Sequence, residues 1–474
     1  MSGFHEVYQF SIKYRTNDTN YLMQIFIYCC TTTFCYHQYL LICRQQIEKL
    51  MNEDFLQFVW KHRLYDLHKM VLSDGRNFDV IDTGVLNRDS GPDFFNAKIK
   101  IDDTVWVGNI EVHYESSHWY CHHHHLDKAY DNVILHVVFH HNKDVYDVSG
   151  SPLPVFEMKI PETVQKNYQK LLSEAVWPAC KQDLKQIELE AMKFWLNAVA
   201  IERLQSKTDD VKRLYMQYNG SWEAVWLQML GAVMGFRVNK EAFVMLMQRT
   251  PFKVIIKESY DVFRIEALLF GQAGLLPEHA EDQYSAALCS EYQFLKHKYE
   301  LTPMPGYIWK FARMRPGNFP TLRIAQFAAI IHKHPAMVAE LLKQQTTGDI
   351  NSFFDIEVSD YWKTHYRFGA SSKAFSGKLG KSAIDLLMIN VVAPFVFFYG
   401  SYHELPDVSE RALDWLSAAS PENNYITRGW AQAGIVADNA MQSQALIQLR
   451  EKYCLRYRCV HCYAGSKLIA GKGI

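Results

Sequence analysis

From Leu64 to about Lys159 the chain alternates apolar and polar positions with period two. The segments NFDVIDTGVLN, FFNAKIKI, TVWVGNIEVHYE and NVILHVVFHH each place hydrophobic side chains on every second residue, which predicts β-strands. Turn signals at Ser73-Asp74-Gly75 and Asp102-Asp103 separate them, and LDKAYDN predicts a short helical piece before the last strand. Ahead of the strands, MNEDFLQFVWKHRLYD opens as a helix should. Asn52 can cap it, Glu53 and Asp54 suit its first turn, and Phe55, Phe58 and Val59 fall at helical spacing. The order helix, strands, helix, strand predicts an α/β domain on a mixed sheet over residues 51–160.

From Pro161 onward the period changes to 3.6. PETVQKNYQKLLSEAVW, IELEAMKFWLNAVAIERLQSK, SWEAVWLQMLGAVMGF and several later segments read as amphipathic helices, so residues 161–474 form a mainly helical domain. No fixed-period repeat is present, and the Met and aromatic stripes are read as core packing. Residues 1–50 differ in style, with an uncharged stretch from Tyr21 to Cys43. Thr31–Thr33, His37 and Gln38 interrupt that stretch and no small-residue cleavage site follows it, so it is read as an upstream extension, not a membrane anchor or signal peptide. Met51 is an alternative start of translation.

Length and composition refine this picture modestly. A chain of 474 residues calls for two or three domains. Its 49% hydrophobic and 21% charged residues describe a globular protein. A net charge of -1 means that any nucleic-acid surface must be a local patch.

Candidate chemistry lies on the predicted sheet. GPDF at Gly91–Phe94 and GNIEVH at Gly108–His113 flank one β-hairpin and set Asp93 and Glu111 on neighbouring strands. Two carboxylates so placed repel unless a cation joins them. Mg²⁺ or Mn²⁺ held by Asp93, Glu111 and a backbone carbonyl near Val112 would do so, and would activate water for phosphodiester cleavage. In the plain alternative, Asp93 caps a turn and Glu111 makes a surface pair. The arrangement resembles the PD-(D/E)xK nuclease superfamily, in which a Pro-Asp on one strand is followed by Glu-x-Lys on the next. Here the match falls on Pro92-Asp93 and on Glu111-Val112-His113. His113 stands where the superfamily has lysine; it can orient or deprotonate water, and Lys98 or Lys100 could offer a displaced cation. The resemblance implies DNA as the substrate.

The run SSHWYCHHHHLDKAYDN follows. With GPDF, the EVH motif and this run, the chain is identified as a member of an uncharacterised bacterial family, the domain of unknown function 2851, over nearly all of 51–474. Ser116, Ser117, Trp119, His122, His124 and Asp127 match the family pattern, while His118 replaces an acid. Ser116, Ser117, His122, His124 and Asp127 could contact substrate phosphate or bind a second metal. His123 and His125 are read as a solvated loop, and His136 as a satisfied sheet residue.

Near the end, YCLRYRCVHCYAG carries Cys454, Cys459 and Cys462, a metal-binding pattern for a cytoplasmic chain. Cys180, in WPAC, is the candidate fourth ligand. The layout resembles repair and CRISPR-associated nucleases that bind a [4Fe–4S] cluster through one distant cysteine and three terminal ones, with Zn²⁺ as the alternative. The segment IWKFARMRPGNFPTLR mixes Lys310, Arg313, Arg315 and Arg323 with aromatics, and is read as an interhelical loop before a nucleic-acid surface. The leading expectation is a metal-dependent nuclease. The rivals are an inactive nuclease-fold protein that binds nucleic acid or serves as a scaffold, and a zinc-dependent hydrolase of a smaller substrate.

Overall fold

The computed structural model describes the backbone of β1 (Gln9–Thr16) and β2 (Thr19–Phe26), an antiparallel pair, and residues 51–471 in full. Most of the apolar stretch from Tyr21 to Cys43, and the reading of 1–50 as an extension, lie outside the described residues. The chain divides into two compact units. One runs to Ala175 and takes in the chain end from Cys459; the other is Val176–Arg458.

The first unit opens with α1 (Glu53–Lys61). Asn52 Oδ1 accepts the Phe55 N–H at 3.0 Å, and Phe55, Leu56, Phe58, Val59 and Trp60 are all buried. The helix packs on a six-stranded sheet. The strands are β3 (Phe78–Asp82), β4 (Val85–Leu86), β5 (Phe94–Ile101), β6 (Thr104–Glu115), β7 (Val133–His140) and β8 (Val155–Glu157). Their order is β3-β5-β6-β7-β8, with β4 paired to β5. β3, β5 and β6 run antiparallel, whereas β6, β7 and β8 are parallel.

The connections explain that switch of direction. Asp102-Asp103 closes the β5–β6 hairpin with Asp102 at φ 52°, a conformation aspartate tolerates better than most residues. A parallel partner needs a crossover, and 116–132 supplies it. The helical piece predicted over 126–132 is only a 3₁₀ turn at Lys128–Tyr130; α2 (His118–Cys121) and a 3₁₀ turn at His124–Leu126 precede it. His123 at φ 61° and the extended Asp127, which caps Ala129 N–H at 2.9 Å, interrupt the helix. Trp119 anchors the crossover, buried with Val133, Val138 and Val155 and donating its indole N–H to Tyr146 O at 3.1 Å.

Strand β6 departs from simple alternation. Thr104–Val107 are exposed on both faces, while Gly108–His113 are buried on both. The reason is that β7 pairs only from Asn109 onward, so the second half of β6 is central and the first half is not. Against α1, α3 (Glu162–Ser173) places Tyr168, which stacks on Phe55 with ring centroids 4.2 Å apart. The last helix, Tyr463–Ala470, packs on α3, with Asn167 Nδ2 donating to Ile469 O at 3.3 Å.

The second unit is helical around one large core, with a two-stranded ribbon of His365–Arg367 and Ala370–Ser371. Among the described residues one helix, Lys381–Tyr402, is long and apolar enough to cross a membrane; 72% of its apolar window is buried inside the structure. Two residues of the basic and aromatic segment are structural, while Lys310, Arg313 and Arg315 are exposed. Trp309 donates its indole N–H to Ala273 O at 2.8 Å, and Arg323 is buried over the Phe236 ring and bonded to Gln326 and Asn318.

Gly108, the first residue of GNIEVH, sits where the crossover enters β7. A Cβ there would lie 2.4 Å from Ile134 Cγ2 and 2.6 Å from Asn132 O. Gly108→Ala should therefore destabilise the protein by about 1–3 kcal/mol, read as a lower denaturant midpoint with an unchanged m-value.

Candidate metal centre

Asp93 ends a tightly held loop. Gly91 has φ 99°, Asn87 Nδ2 donates to the carbonyls of Asp89, Ser90 and Pro92, and Asn87 N–H donates to Asp93 O at 2.7 Å. From there Asp93 is bound reciprocally to β6. Its N–H donates to Glu111 Oε2 at 3.2 Å, while its Oδ2 accepts the Val112 N–H at 2.9 Å. Gln57 of α1 donates to Asp93 Oδ1 at 2.8 Å. Glu111 is only 5% exposed. The turn-cap and surface-pair alternative is thus replaced by two linked, enclosed acids.

The histidines converge on Glu111. His113 Nε2 lies 3.4 Å and His124 Nε2 lies 3.3 Å from Glu111 Oε1. His113 Nε2 also lies 3.0 Å from His122 Nδ1, and His113 Nδ1 lies 2.8 Å from Nε2 of the fully buried His136. One ring nitrogen from each of His113, His122 and His124 falls within 4.8 Å of the others. Tyr130 stacks on His124 with ring centroids 3.9 Å apart and fixes its plane. His124 Nε2 is buried yet makes no hydrogen bond; it is close to Glu111 but not aimed along a hydrogen-bond direction. His122 is exposed and opens the cluster to solvent.

Electrostatics set this cluster apart. Burial, then repulsion by Glu111, pushes Asp93 up to about 8. Burial likewise pushes Glu111 up to about 8. Glu53, in the first turn of α1, is raised by burial and contributes further negative charge to both. Burial drives His113 well below the usual imidazole range, and lowers His136 to about 3. His122 and His124 are lowered by the same cause. Among the described residues no lysine or arginine pairs with Asp93 or Glu111. A buried and a half-buried acid, neutral imidazoles and an orphaned ring nitrogen form a donor set that fits a divalent cation.

Other sequence candidates fall outside this cluster. Lys98 is exposed in β5 and pairs with Val107. That position lies four residues before Glu111 on one face, about 13 Å along the strand and beyond a lysine side chain. Ser116 is buried and donates to Lys143 O at 2.7 Å while accepting the Lys143 N–H, so it fixes the start of the crossover. Ser117 N–H donates to Asn142 Oδ1 at 3.0 Å, and Asp127 is the exposed cap already described. Conversely, Gln57, Glu53, Tyr130 and His136 belong to the cluster and were not assigned to it from sequence. Only the period-two position of His136, in phase with the apolar residues of β7, hinted at its inward face.

The thiols divide between the units. Cys180 and Cys454 are half-buried in Val176–Arg458, while Cys459 and Cys462 lie in the chain end. Burial, then the neighbouring Cys462, pushes the Cys459 thiol up to about 12, and burial raises Cys462 as well.

The chain belongs to the family described as protein of unknown function (DUF2851), whose model matches residues 53–425. That span carries every residue of the acid–histidine cluster. No curated protein and no solved structure matches the chain.

The acid pair has a consequence for stability. Folded Asp93 and Glu111 keep their protons up to about pH 8, whereas unfolded carboxyls ionise near pH 4. Their contribution is therefore fully present below about pH 4 and is lost as pH rises toward 8. Metal-free Glu111→Gln should be more stable than the native chain at pH 8, on the order of 1–3 kcal/mol, with the difference vanishing near pH 4. Thermal denaturation in chelator across that range checks this.

Proposed function

We propose that this protein is a metal-dependent hydrolase of DNA phosphodiester bonds, built on a PD-(D/E)xK-like core. The observation that carries the reading is the convergence of Asp93 and Glu111, from adjacent strands, with the neutral imidazoles of His113, His122 and His124. The mixed sheet, the leading helix and the crossover that brings in a parallel strand support the nuclease-like core.

Asp93, Glu111 and the three imidazoles would hold the ion. Carboxylates suit Mg²⁺ and Mn²⁺ and imidazoles suit Zn²⁺ and Mn²⁺, so the mixed set favours Mn²⁺ over Mg²⁺. Such an ion polarises a phosphate oxygen and lowers the pKa of its bound water. The protein's own groups do the rest. His136 fixes the His113 ring through the 2.8 Å contact, and the burial that holds His113 neutral keeps one ring nitrogen unprotonated. A proton on His113 Nδ1, shared with His136, would leave Nε2 facing Glu111 and His122 as the lone-pair atom. His113 therefore contributes a neutral donor where a lysine would contribute fixed charge. His122, the exposed member of the three, keeps the site open to solvent water.

The same imidazoles support a second reading, a zinc-dependent hydrolase of a smaller substrate. Purified full-length protein assayed with Mg²⁺, Mn²⁺ or Zn²⁺ on single- and double-stranded DNA and on small phosphodiesters separates the two. DNA cleavage should fall at least about 100-fold in Glu111→Ala and Asp93→Asn. Absence of cleavage with every ion, or undiminished cleavage by both variants, rejects the nuclease. Cleavage of small diesters alone favours the second reading.

We also propose that Cys459 and Cys462 are ligands of a structural iron–sulfur or zinc centre. A half-buried and a buried thiol whose ionisation is opposed by burial need a metal to become thiolates. Elemental analysis should find iron or zinc in the purified protein and its loss in Cys462→Ser; a metal-free native protein rejects this.

A further inference from the structure

A cleft of about 140 Å³ adjoins the acid pair in the first unit. Its walls come from α1 (Asp54, Gln57, Phe58, Lys61, His62), from the β4–β5 segment (Leu86, Arg88) and from the chain end (Val460, His461). One wall is shared with the metal centre, because Gln57 lines the cleft and donates to Asp93 Oδ1 at 2.8 Å. Lys61 and Arg88 are exposed, and among the described residues neither side chain has an ion-pair or hydrogen-bond partner. The one acid in the lining, Asp54, faces His461 Nε2 at 3.6 Å. Burial first, and then the nearby Lys61 and Lys467, hold His62 below its ordinary range.

We infer that this cleft is an anion subsite in which Lys61 and Arg88 hold a phosphate group of the nucleic-acid strand whose neighbouring phosphodiester lies at Asp93 and Glu111. Three considerations lead there. The chain has no bulk positive charge, so strand binding requires a local patch of this kind. Two cations without partners among the described residues, on separate elements facing one concavity, gain more from an anion than from solvent. And Gln57 links the occupant of the cleft directly to the orientation of Asp93, so a phosphate seated there would set the register of the strand over the acids. The inference rests on the nuclease reading for the identity of the strand.

The occupant could be a terminal phosphate monoester or an internal diester; both are phosphate oxyanions and the test separates them. Metal-free, full-length Glu111→Gln protein, which should not cleave, is titrated by fluorescence anisotropy with a short single-stranded oligonucleotide. The strand carries a 5′-phosphate, a 3′-phosphate or neither, with the dye at the opposite end, over a range of salt. Adding Lys61→Gln and Arg88→Gln together should weaken binding at least about tenfold and lower the slope of log affinity against log salt by about 1.5. A terminal monoester shows as tighter binding of one phosphorylated strand, an internal diester as equal binding of all three. Arg88→Lys, which keeps the charge, should retain the native slope. Unchanged affinity and slope in the double variant, with its melting temperature unchanged, overturn the subsite. Failure of the native protein to cleave DNA would reject the hydrolase reading while leaving this binding result standing.

Discussion

Everything else in the first unit depends on the link between Asp93 and strand β6. One backbone N–H runs from Asp93 to Glu111 and another from Val112 back to Asp93, so two acids are locked across adjacent strands at the buried end of a sheet. Among the described residues no lysine or arginine pairs with them: burial raises both, and a further acid, Glu53, adds charge of the same sign. An arrangement that raises the energy of the folded chain persists only where the geometry is fixed by its surroundings. Here the surroundings are Asn87, which ties the preceding loop, and Gln57, which reaches down from α1.

The imidazoles follow from the change of strand direction. Because β7 runs parallel to β6, the chain must cross over, and the crossover passes above the acids. His122 and His124 ride on it, while His113 and His136 rise from the paired strands beneath. The aromatic supports, Trp119 and Tyr130, belong to the same crossover, so one segment delivers both the donors and the groups that orient them.

Much of this was legible in the sequence. Period-two alternation located the strands, and Asn52 with its acidic first turn located α1. GPDF and EVH placed Asp93 and Glu111 on neighbours. What was not legible has identifiable causes. The burial of β6 on both faces depends on where β7 begins to pair, which no local pattern encodes. Lys98 sits on the intervening strand, but the register sets it opposite Val107, too far along. Ser116 and Ser117 look like exposed polar loop residues until the Asn142–Lys143 segment closes over them. Gln57 was invisible because a glutamine on a helix has no signature until the helix is docked on its sheet.

The first unit is also discontinuous. Its sheet is encoded before Ala175, yet Val460 and His461, which finish the basic cleft, and the helix that packs on α3 come only after the whole of Val176–Arg458. On a ribosome, the acids and histidines emerge early while the cleft beside them stays open on one side until residues near 461 are translated. A chain cut before Cys459 would carry the whole sheet with its acids and histidines, yet would lack one wall of the cleft and the helix that packs on α3.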